Sequence, residues 1–257
     1  MSAVRDNRQF YATTAFDNWA SRMGLTAFED VLVDRFLDAD RSTLEAGTGA
    51  GRILFALQER EFEELHGFDF VPGFIEIARE RDLYGTIEFT VQDAVDLAYP
   101  DRRFEQALYL QQVVCFIEDP ADRLRAMREA RRVLRPGGTA LFSFLCFESR
   151  TKRTLHASFL RYLRVQRRLR RRRVSLQYQP WLLAGGAPNL GAIIDRPPYV
   201  YWYRLNEALE SLEGAGFQVE WAGSTAQVTD ETWSGDPRAL ASSRLDGMLY
   251  LACSRAV

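Results

Sequence analysis

A glycine-rich turn between two apolar segments is the feature that most limits what this sequence can fold into. Residues 44–46 predict a short buried strand, and Gly47, Gly49 and Gly51 follow it at alternate positions. Residues 53–57 then return to an apolar pattern typical of a helix. Glycines let the chain turn sharply and let backbone N–H groups approach a ligand closely. The stretch therefore predicts the nucleotide-binding corner of an α/β fold.

An acidic residue, Asp69, stands where nucleotide folds place the carboxylate that binds ribose. Residues 64–69 predict a strand that ends at Asp69, which lies about twenty residues beyond the glycine turn. A carboxylate in this position accepts hydrogen bonds from both ribose hydroxyls, so we expect Asp69, with Phe70 beside it, to bind a nucleotide cofactor. The alternative is that Asp69 only caps the helix that begins near Pro72.

Polar residues also follow the third and fourth predicted strands. Asp93 and Ala94 come just after the strand predicted over residues 86–91, and Gln111 and Gln112 end the strand predicted over 104–110. Ligands of doubly wound sheets bind beyond the carboxyl ends of the strands. We therefore expect the two glutamines to face the site, where amides hold a polar group but act poorly as bases.

The order of these features resembles that of the class I S-adenosylmethionine-dependent methyltransferases. Glu45 stands two residues before the first glycine, as in the family's first motif. Arg52 occupies the place where a dinucleotide fingerprint has its third glycine. The turn from Leu134 to Thr139, with the sequence Leu-Arg-Pro-Gly-Gly-Thr, is similar to the one that leads into the family's fifth strand.

The resemblance implies S-adenosylmethionine as the cofactor and a set of residues to bind it. In the family, an aspartate at the place of Asp93 accepts a hydrogen bond from the adenine amino group, and the next N–H, here that of Ala94, meets a ring nitrogen. Gln111 and Gln112 would hold the methionine portion or a polar substrate. The full predicted set is Glu45, Ala46, Gly47, Thr48, Gly49, Asp69, Phe70, Asp93, Ala94, Gln111 and Gln112.

The resemblance also implies the fold: α/β, with a Rossmann-like, seven-stranded, mostly parallel sheet, an antiparallel last strand and helices on both faces. We predict strand six over residues 217–221 and strand seven over 248–253. A chain of 257 residues suits one such domain with an insertion. We expect an N-terminal helical cap (1–41), a cofactor-binding core (42–147), a substrate or lid insertion (148–204) and the end of the core sheet (205–257).

Composition narrows the class of protein. A formal net charge of -2 argues against a polycation. Three scattered cysteines, Cys115, Cys146 and Cys253, argue for free thiols and against a metal cage, so we expect no metal. No stretch approaches the ~20 apolar residues of a membrane span, and the N-terminus lacks an apolar leader. We therefore expect a cytoplasmic protein.

Aromatic residues at helical spacing mark the first forty residues. They predict two amphipathic helices that cover the sheet. The alternative is that Tyr11, Phe16 and Trp19 form a flap over the reactive end of the cofactor, as N-terminal aromatic segments do in similar methyltransferases. On that alternative, Tyr11 and Trp19 are candidate substrate contacts.

The insertion divides into two parts. An arginine-rich run from Arg161 to Arg173 predicts either a solvated amphipathic helix or a site for phosphate, carboxylate, an acidic partner or an anionic membrane surface. The later part is rich in aromatic and loop-forming residues and predicts a lid or pocket wall. Its candidate substrate contacts are Tyr199, Tyr201 and Trp202.

These features favour a methyltransferase that acts on nitrogen or oxygen of a small molecule by in-line displacement. No catalytic base is assigned: His156, Asp195 and the tyrosines at 199–203 are candidates, and an amine acceptor needs none. The alternatives are a methyltransferase that binds nucleic acid or another polyanion, a non-catalytic binding protein and a nicotinamide-dependent oxidoreductase. The sequence does not indicate the acceptor or the oligomeric state.

Overall fold

A central sheet organises the computed structural model, which describes residues 3–13, 16–152, 154–184, 187–232 and 236–256. Within these residues the sheet has seven strands, labelled in chain order. They are β1 (Thr43–Ala46), β2 (Leu65–Asp69), β3 (Ile87–Val91), β4 (Phe104–Tyr109), β5 (Leu134–Leu145), β6 (Phe217–Ser224) and β7 (Met248–Arg255).

Helices precede, connect and follow these strands. Short 3-10 segments at Val113–Phe116 and Pro237–Ser242 lie among them. The α-helices are α1 (Ala3–Ala12), α2 (Phe16–Ala20), α3 (Ala27–Phe36), α4 (Arg52–Gln58), α5 (Pro72–Arg81), α6 (Pro120–Val133), α7 (Phe147–Lys152), α8 (Thr154–Leu169), α9 (Leu190–Ile193), α10 (Leu205–Gly214) and α11 (Thr225–Thr229).

The strand order confirms the predicted fold class. Across the sheet the order is β6, β7, β5, β4, β1, β2 and β3. The pairs from β5 to β3 are parallel, whereas β7 runs antiparallel to both β5 and β6. From β1 the chain adds β2 and β3 on one side and then β4 and β5 on the other. The carboxyl ends of β1, β2 and β4 therefore meet at the crevice where ligands of such sheets bind.

Both faces of the sheet are covered, because side chains alternate along each strand. On β4, Ala107 and Tyr109 pack into a core with helices α6 and α10. Leu108 packs into a second core with helices α3, α4 and α5. This alternation explains why the central strands are apolar on both sides.

The fifth strand begins earlier than its motif predicts. The sequence predicts that strand five begins at Ala140, after the Pro-Gly-Gly turn, but β5 already pairs at Leu134, opposite Phe104. The register then shifts, because Gln106 pairs with Thr139. The turn is therefore a bulge inside β5, and Gly137, at φ 74°, supplies the left-handed backbone that the bulge requires.

The insertion between β5 and β6 carries α7, α8 and α9 together with short strand pairs. Tyr178–Pro180 pairs antiparallel with Tyr199–Tyr201. The arginine-rich helix ends at Leu169, so Arg170 to Arg173 lie beyond it. No helix in the described part of the chain is long and apolar enough to cross a bilayer.

Candidate functional site

A pocket of about 860 Å³ opens beside the glycine turn; we call it the inner pocket. Residues from the ends of β1, β2, β3 and β4 line it. Of the predicted cofactor residues it brings together Gly47, Thr48, Gly49, Asp69, Phe70, Asp93, Ala94 and Gln111, and Tyr11 and Trp19 line it as well. The predicted cofactor residues in this pocket lie at or just after strand ends, whereas Tyr11 and Trp19 come from helices α1 and α2.

The glycine turn meets Asp69 directly. The Gly49 N–H donates to Asp69 Oδ2 at 3.0 Å, and the Val71 N–H donates to Asp69 Oδ1 at 2.9 Å. Gly47 lies at φ 63°, and a Cβ there would come within 2.8 Å of a Val113 methyl carbon. A side chain at position 47 would therefore both strain the turn and collide with the pocket wall.

The pKa of the buried Asp69 carboxyl lies well above its ordinary value. Burial raises its pKa from 3.8 to about 6, and the N–H groups of Val71 and Gly49 limit the rise. A carboxylate that already accepts two backbone N–H groups still has lone pairs available, since each oxygen offers two. Asp69 can thus receive two further hydroxyl donors.

Glu45 and Ala46 lie beneath the inner pocket rather than in its wall. Glu45 is 1% exposed; its carboxylate accepts the Thr48 hydroxyl at 2.7 Å and the Gln111 amide at 3.4 Å. Burial raises the pKa of Glu45 to about 7. Ala46 is fully buried in the sheet core. Glu45 therefore positions two residues of the pocket wall.

The two glutamines after β4 sit on strained backbone and face different spaces. Gln111 has φ 60° and Gln112 has φ 62°, which is the left-handed region that non-glycine residues seldom adopt. Gln111 lines the inner pocket, whereas Gln112 lines a neighbouring pocket. Such strain concentrates at functional sites.

The N-terminal aromatic residues are divided among three helices, α1, α2 and α3, where two sheet-covering helices were predicted. Helix α3 covers the sheet through Leu32 and Val33, as the covering prediction states. Tyr11 and Trp19, on α1 and α2, line the inner pocket instead. Phe16 stacks on Phe74 with ring centroids 4.7 Å apart, which fixes α2 to α5.

Asn7 is a pocket residue that the sequence reasoning missed. It is 4% exposed, and its amide donates to the Phe116 carbonyl at 2.9 Å, to Glu118 Oε1 at 3.1 Å and to the Tyr199 carbonyl at 3.3 Å. These bonds fasten α1 to the loop after β4 and to the insertion. Nothing local marks Asn7, because its partners lie more than a hundred residues away.

Glu29 was also missed, although a local signal exists. Its carboxylate forms a buried, bidentate ion pair with Arg52, at 2.8 and 2.5 Å. Arg52 also donates to the Gly24 carbonyl at 2.7 Å and lines the inner pocket. Thr26 and Glu29 form a capping box at the start of α3, a pattern readable from the sequence.

A second space, the outer pocket, adjoins the inner pocket and shares Trp19 and Phe116 with it. The insertion supplies much of its wall. Of the predicted residues, Gln112, Trp202 and the candidate base His156 line it. Arg150, Gln179 and Trp181 line it too.

Tyr199 and Tyr201 line neither pocket. The Tyr199 hydroxyl donates to the Asp195 carbonyl at 2.6 Å. The Tyr201 hydroxyl bonds to Glu207, and the Arg123 guanidinium lies 3.8 Å from its ring centroid. Side chains alternate along a strand, so Trp202 points to the side opposite Tyr201 and lines the outer pocket, whereas the two tyrosines do not.

The arginine-rich run divides into structural and exposed members. Arg167 is 3% exposed and forms a bidentate pair with Asp195, at 2.9 and 2.7 Å. Arg172 also reaches Asp195. The arginines that remain candidates for the predicted anionic ligand are therefore exposed ones, such as Arg161, Arg164 and Arg168.

The inner pocket fits the adenosyl cofactor that the sequence implies. A buried carboxylate, Asp69, suits ribose hydroxyls, and Asp93 with the Ala94 N–H suits the adenine edge. Gly49 has no atom within 4 Å of where a Cβ would stand, so the turn leaves room for a ligand. The buried hydroxyl of Tyr11 has no hydrogen-bond partner within the described chain and is available to a ligand.

Comparison with known proteins agrees with this geometry. Residues 44–142 match the protein family described as "Methyltransferase domain". The chain is 35% identical over 103 residues to a demethylmenaquinone methyltransferase of Deinococcus radiodurans, covering 38% of this chain and 40% of that protein. It is 25% identical over 206 residues to one from Tropheryma whipplei, covering 76% and 69%. The match thus spans well under half of the first relative.

A solved structure extends the likeness of fold beyond the matched segment. An S-adenosylmethionine-dependent methyltransferase from Methanosarcina mazei superposes with a TM-score of 0.64 at 18% identity. The superposition covers 91% of this chain and 100% of that one. The likeness of fold therefore extends well beyond residues 44–142.

Proposed function

We propose that this protein, whose residues 44–142 match a methyltransferase domain, uses S-adenosylmethionine to methylate nitrogen or oxygen of a small-molecule acceptor. The observation that carries the proposal is the junction of two pockets at Trp19 and Phe116. The inner pocket holds the cofactor and the outer pocket holds the acceptor. The relatives named as demethylmenaquinone methyltransferases support a small acceptor.

We assign the cofactor contacts to the residues that the inner pocket gathers. Asp69 binds the ribose, while Asp93 and Ala94 bind the adenine. The turn from Gly47 to Gly49 offers backbone N–H groups to the methionine end, and Gln111 adds an amide. Glu45 acts through Thr48 and Gln111 and is a positioning residue.

When bound, S-adenosylmethionine supplies an electrophilic methyl group. The chain holds the acceptor atom in line and excludes water from it. Tyr11 cannot serve as a base near neutral pH, because burial, together with the nearby Asp69 charge, raises the pKa of its hydroxyl well above the ordinary value. It serves as a hydrogen-bond donor. His156 is the titratable candidate for deprotonating a hydroxyl acceptor, and an amine acceptor needs no base.

Calorimetric titration with S-adenosylhomocysteine and S-adenosylmethionine tests the cofactor assignment, with NADH as a control. We expect micromolar binding of both adenosyl compounds and at least tenfold weaker binding by Asp69→Ala. Binding of NADH in their place, or no binding at all, would overturn the proposal. An acceptor screen with the S-adenosylmethionine-loaded protein follows.

A further inference from the structure

Three residues that line the outer pocket carry buried hydrogen-bond donors without a partner in the described chain. Gln179 is 3% exposed and Trp202 is 7% exposed. The Gln179 amide nitrogen and the indole nitrogens of Trp181 and Trp202 are buried and have no partner within the described chain. An indole N–H only donates, so an occupant must bring acceptor atoms. Leaving a buried donor unpaired is unfavourable, so a ligand that satisfies it is favoured.

The charge of the outer pocket has one sign. Arg22 and Arg150 line it, and their guanidinium carbons lie 4.1 Å from the Trp19 centroid and 3.9 Å from the Trp202 centroid. His156 is the other titratable residue in the wall, and no carboxylate stands among the described residues that line it. The inner pocket, by contrast, contains Asp69 and Asp93, and its one arginine, Arg52, is paired with Glu29. The two spaces therefore select ligands of different charge.

The wall of the outer pocket is aromatic as well as cationic. Phe116 and Trp181 stack with centroids 5.1 Å apart and planes 9° from parallel. Phe10 lies against the same indole, with centroids 5.1 Å apart. These three rings form one aromatic wall, which favours a conjugated occupant over an aliphatic one.

We propose that the outer pocket selects a planar acceptor bearing an anionic oxygen group, a carboxylate or a phosphate. The inference rests on the proposed function and names the substrate class of the same site. The ring lies against Trp181 and Phe116, which also borders the inner pocket. The anionic oxygens face Arg150 and take hydrogen bonds from the donors of Gln179 and Trp202.

The test is calorimetric titration of the full chain saturated with S-adenosylhomocysteine. Four unreactive probes vary one property at a time: 2-naphthoate, 2-naphthyl phosphate, the uncharged 2-naphthamide and the saturated decahydro-2-naphthoate. We expect at least one anionic naphthyl probe to bind about tenfold more tightly than the amide, as expected for charge-assisted bonds. The ratio of the affinities for the two anionic probes shows whether the pocket prefers a carboxylate or a phosphate. Decahydro-2-naphthoate should bind more weakly than 2-naphthoate.

Variants locate the binding. Arg150→Gln should lose about tenfold in affinity for the anionic probe while keeping its affinity for 2-naphthamide. Arg164→Gln, which removes an exposed charge of the same insertion, should match the unmodified protein. Equal affinity for charged and uncharged probes overturns the inference, and this arm needs no variant to fold. Saturation with S-adenosylhomocysteine is measured first, so failure of the cofactor assignment is seen separately.

Discussion

At the scale of single residues, the two buried carboxyls of the site differ in what they touch. Asp69 lines the inner pocket and accepts backbone N–H groups, whereas Glu45 lies beneath it and accepts side-chain donors. Burial raises both pKa values, to about 6 and about 7. The pH dependence of binding therefore belongs mainly to Asp69, and that of stability to both.

Binding of S-adenosylhomocysteine should weaken as pH falls through about 6. Ribose hydroxyls donate to the ionised Asp69, so protonation of that carboxyl opposes binding, about tenfold per pH unit below its pKa of about 6. Titrations from pH 5 to 8 measure this. Asp69→Asn should bind weakly with no such step, whereas Glu45→Gln should retain it. A flat profile for the unmodified protein would refute the ribose assignment.

Stability of the ligand-free protein should fall as pH rises between about 4.5 and 7. The folded state holds a proton on Glu45 that the unfolded chain has released, because its folded pKa is about 7. The difference amounts to about 3 kcal/mol. Urea unfolding of Glu45→Gln at pH 5 and pH 8 should show a smaller loss of stability than the unmodified protein. An unchanged loss would mean that Glu45 is not the group responsible.

At the scale of elements, the ion pair of Glu29 and Arg52 joins α3 to the helix that follows the glycine turn. Both side chains are buried, with exposures of 5% and 7%. A buried pair of this kind adds little to stability as a whole, but removing one partner leaves an uncompensated charge. The pair therefore fixes where α3 stands relative to the inner pocket.

Glu29→Gln should destabilise the protein by about 3 kcal/mol, since Arg52 keeps its charge in a buried setting. The glutamine oxygen still accepts the Thr26 N–H of the capping box, so the change isolates the ion pair. Urea unfolding measures the loss, and Glu59→Gln, at an exposed position, is the matched control with an effect near zero. A loss below about 1 kcal/mol would show that the pair is solvated.

The turn after β4 offers a second test at this scale. A left-handed backbone is costly for residues with a Cβ, so Gln112→Gly should be about 1 kcal/mol more stable than Gln112→Ala. Thermal unfolding of the two variants gives the comparison. If alanine proves the more stable, the turn does not hold the left-handed conformation in solution.

At the scale of the whole molecule, local patterns predicted the sheet and long-range contacts did not follow from them. The strands, the glycine turn and the acids at strand ends were predictable because each is a short-range pattern. Asn7 was not, since it bonds across 109 and 192 residues. Likewise, the left-handed backbone of Gln111 and the early start of β5 at Leu134 depend on pairing with distant strands.

Asn7→Ala should speed the release of S-adenosylhomocysteine more than it slows capture. The variant loses three hydrogen bonds that hold α1 over the inner pocket, while the cofactor contacts of Asp69 and the glycine turn remain. Stopped-flow fluorescence measures both rates, with the exposed Gln9→Ala on the same helix as the control. Unchanged release rates would place the exit elsewhere.

The helix that Asn7 fastens also lines the inner pocket, through Asn7 and Tyr11. Under the proposed function a bound cofactor lies against Tyr11 and Trp19, so we expect its release to require movement of α1 and loss of the Asn7 hydrogen bonds. Each catalytic cycle of the proposed methyltransferase would then include one opening of the N-terminal segment. The rate of turnover would depend on Asn7, whose hydrogen bonds fasten α1.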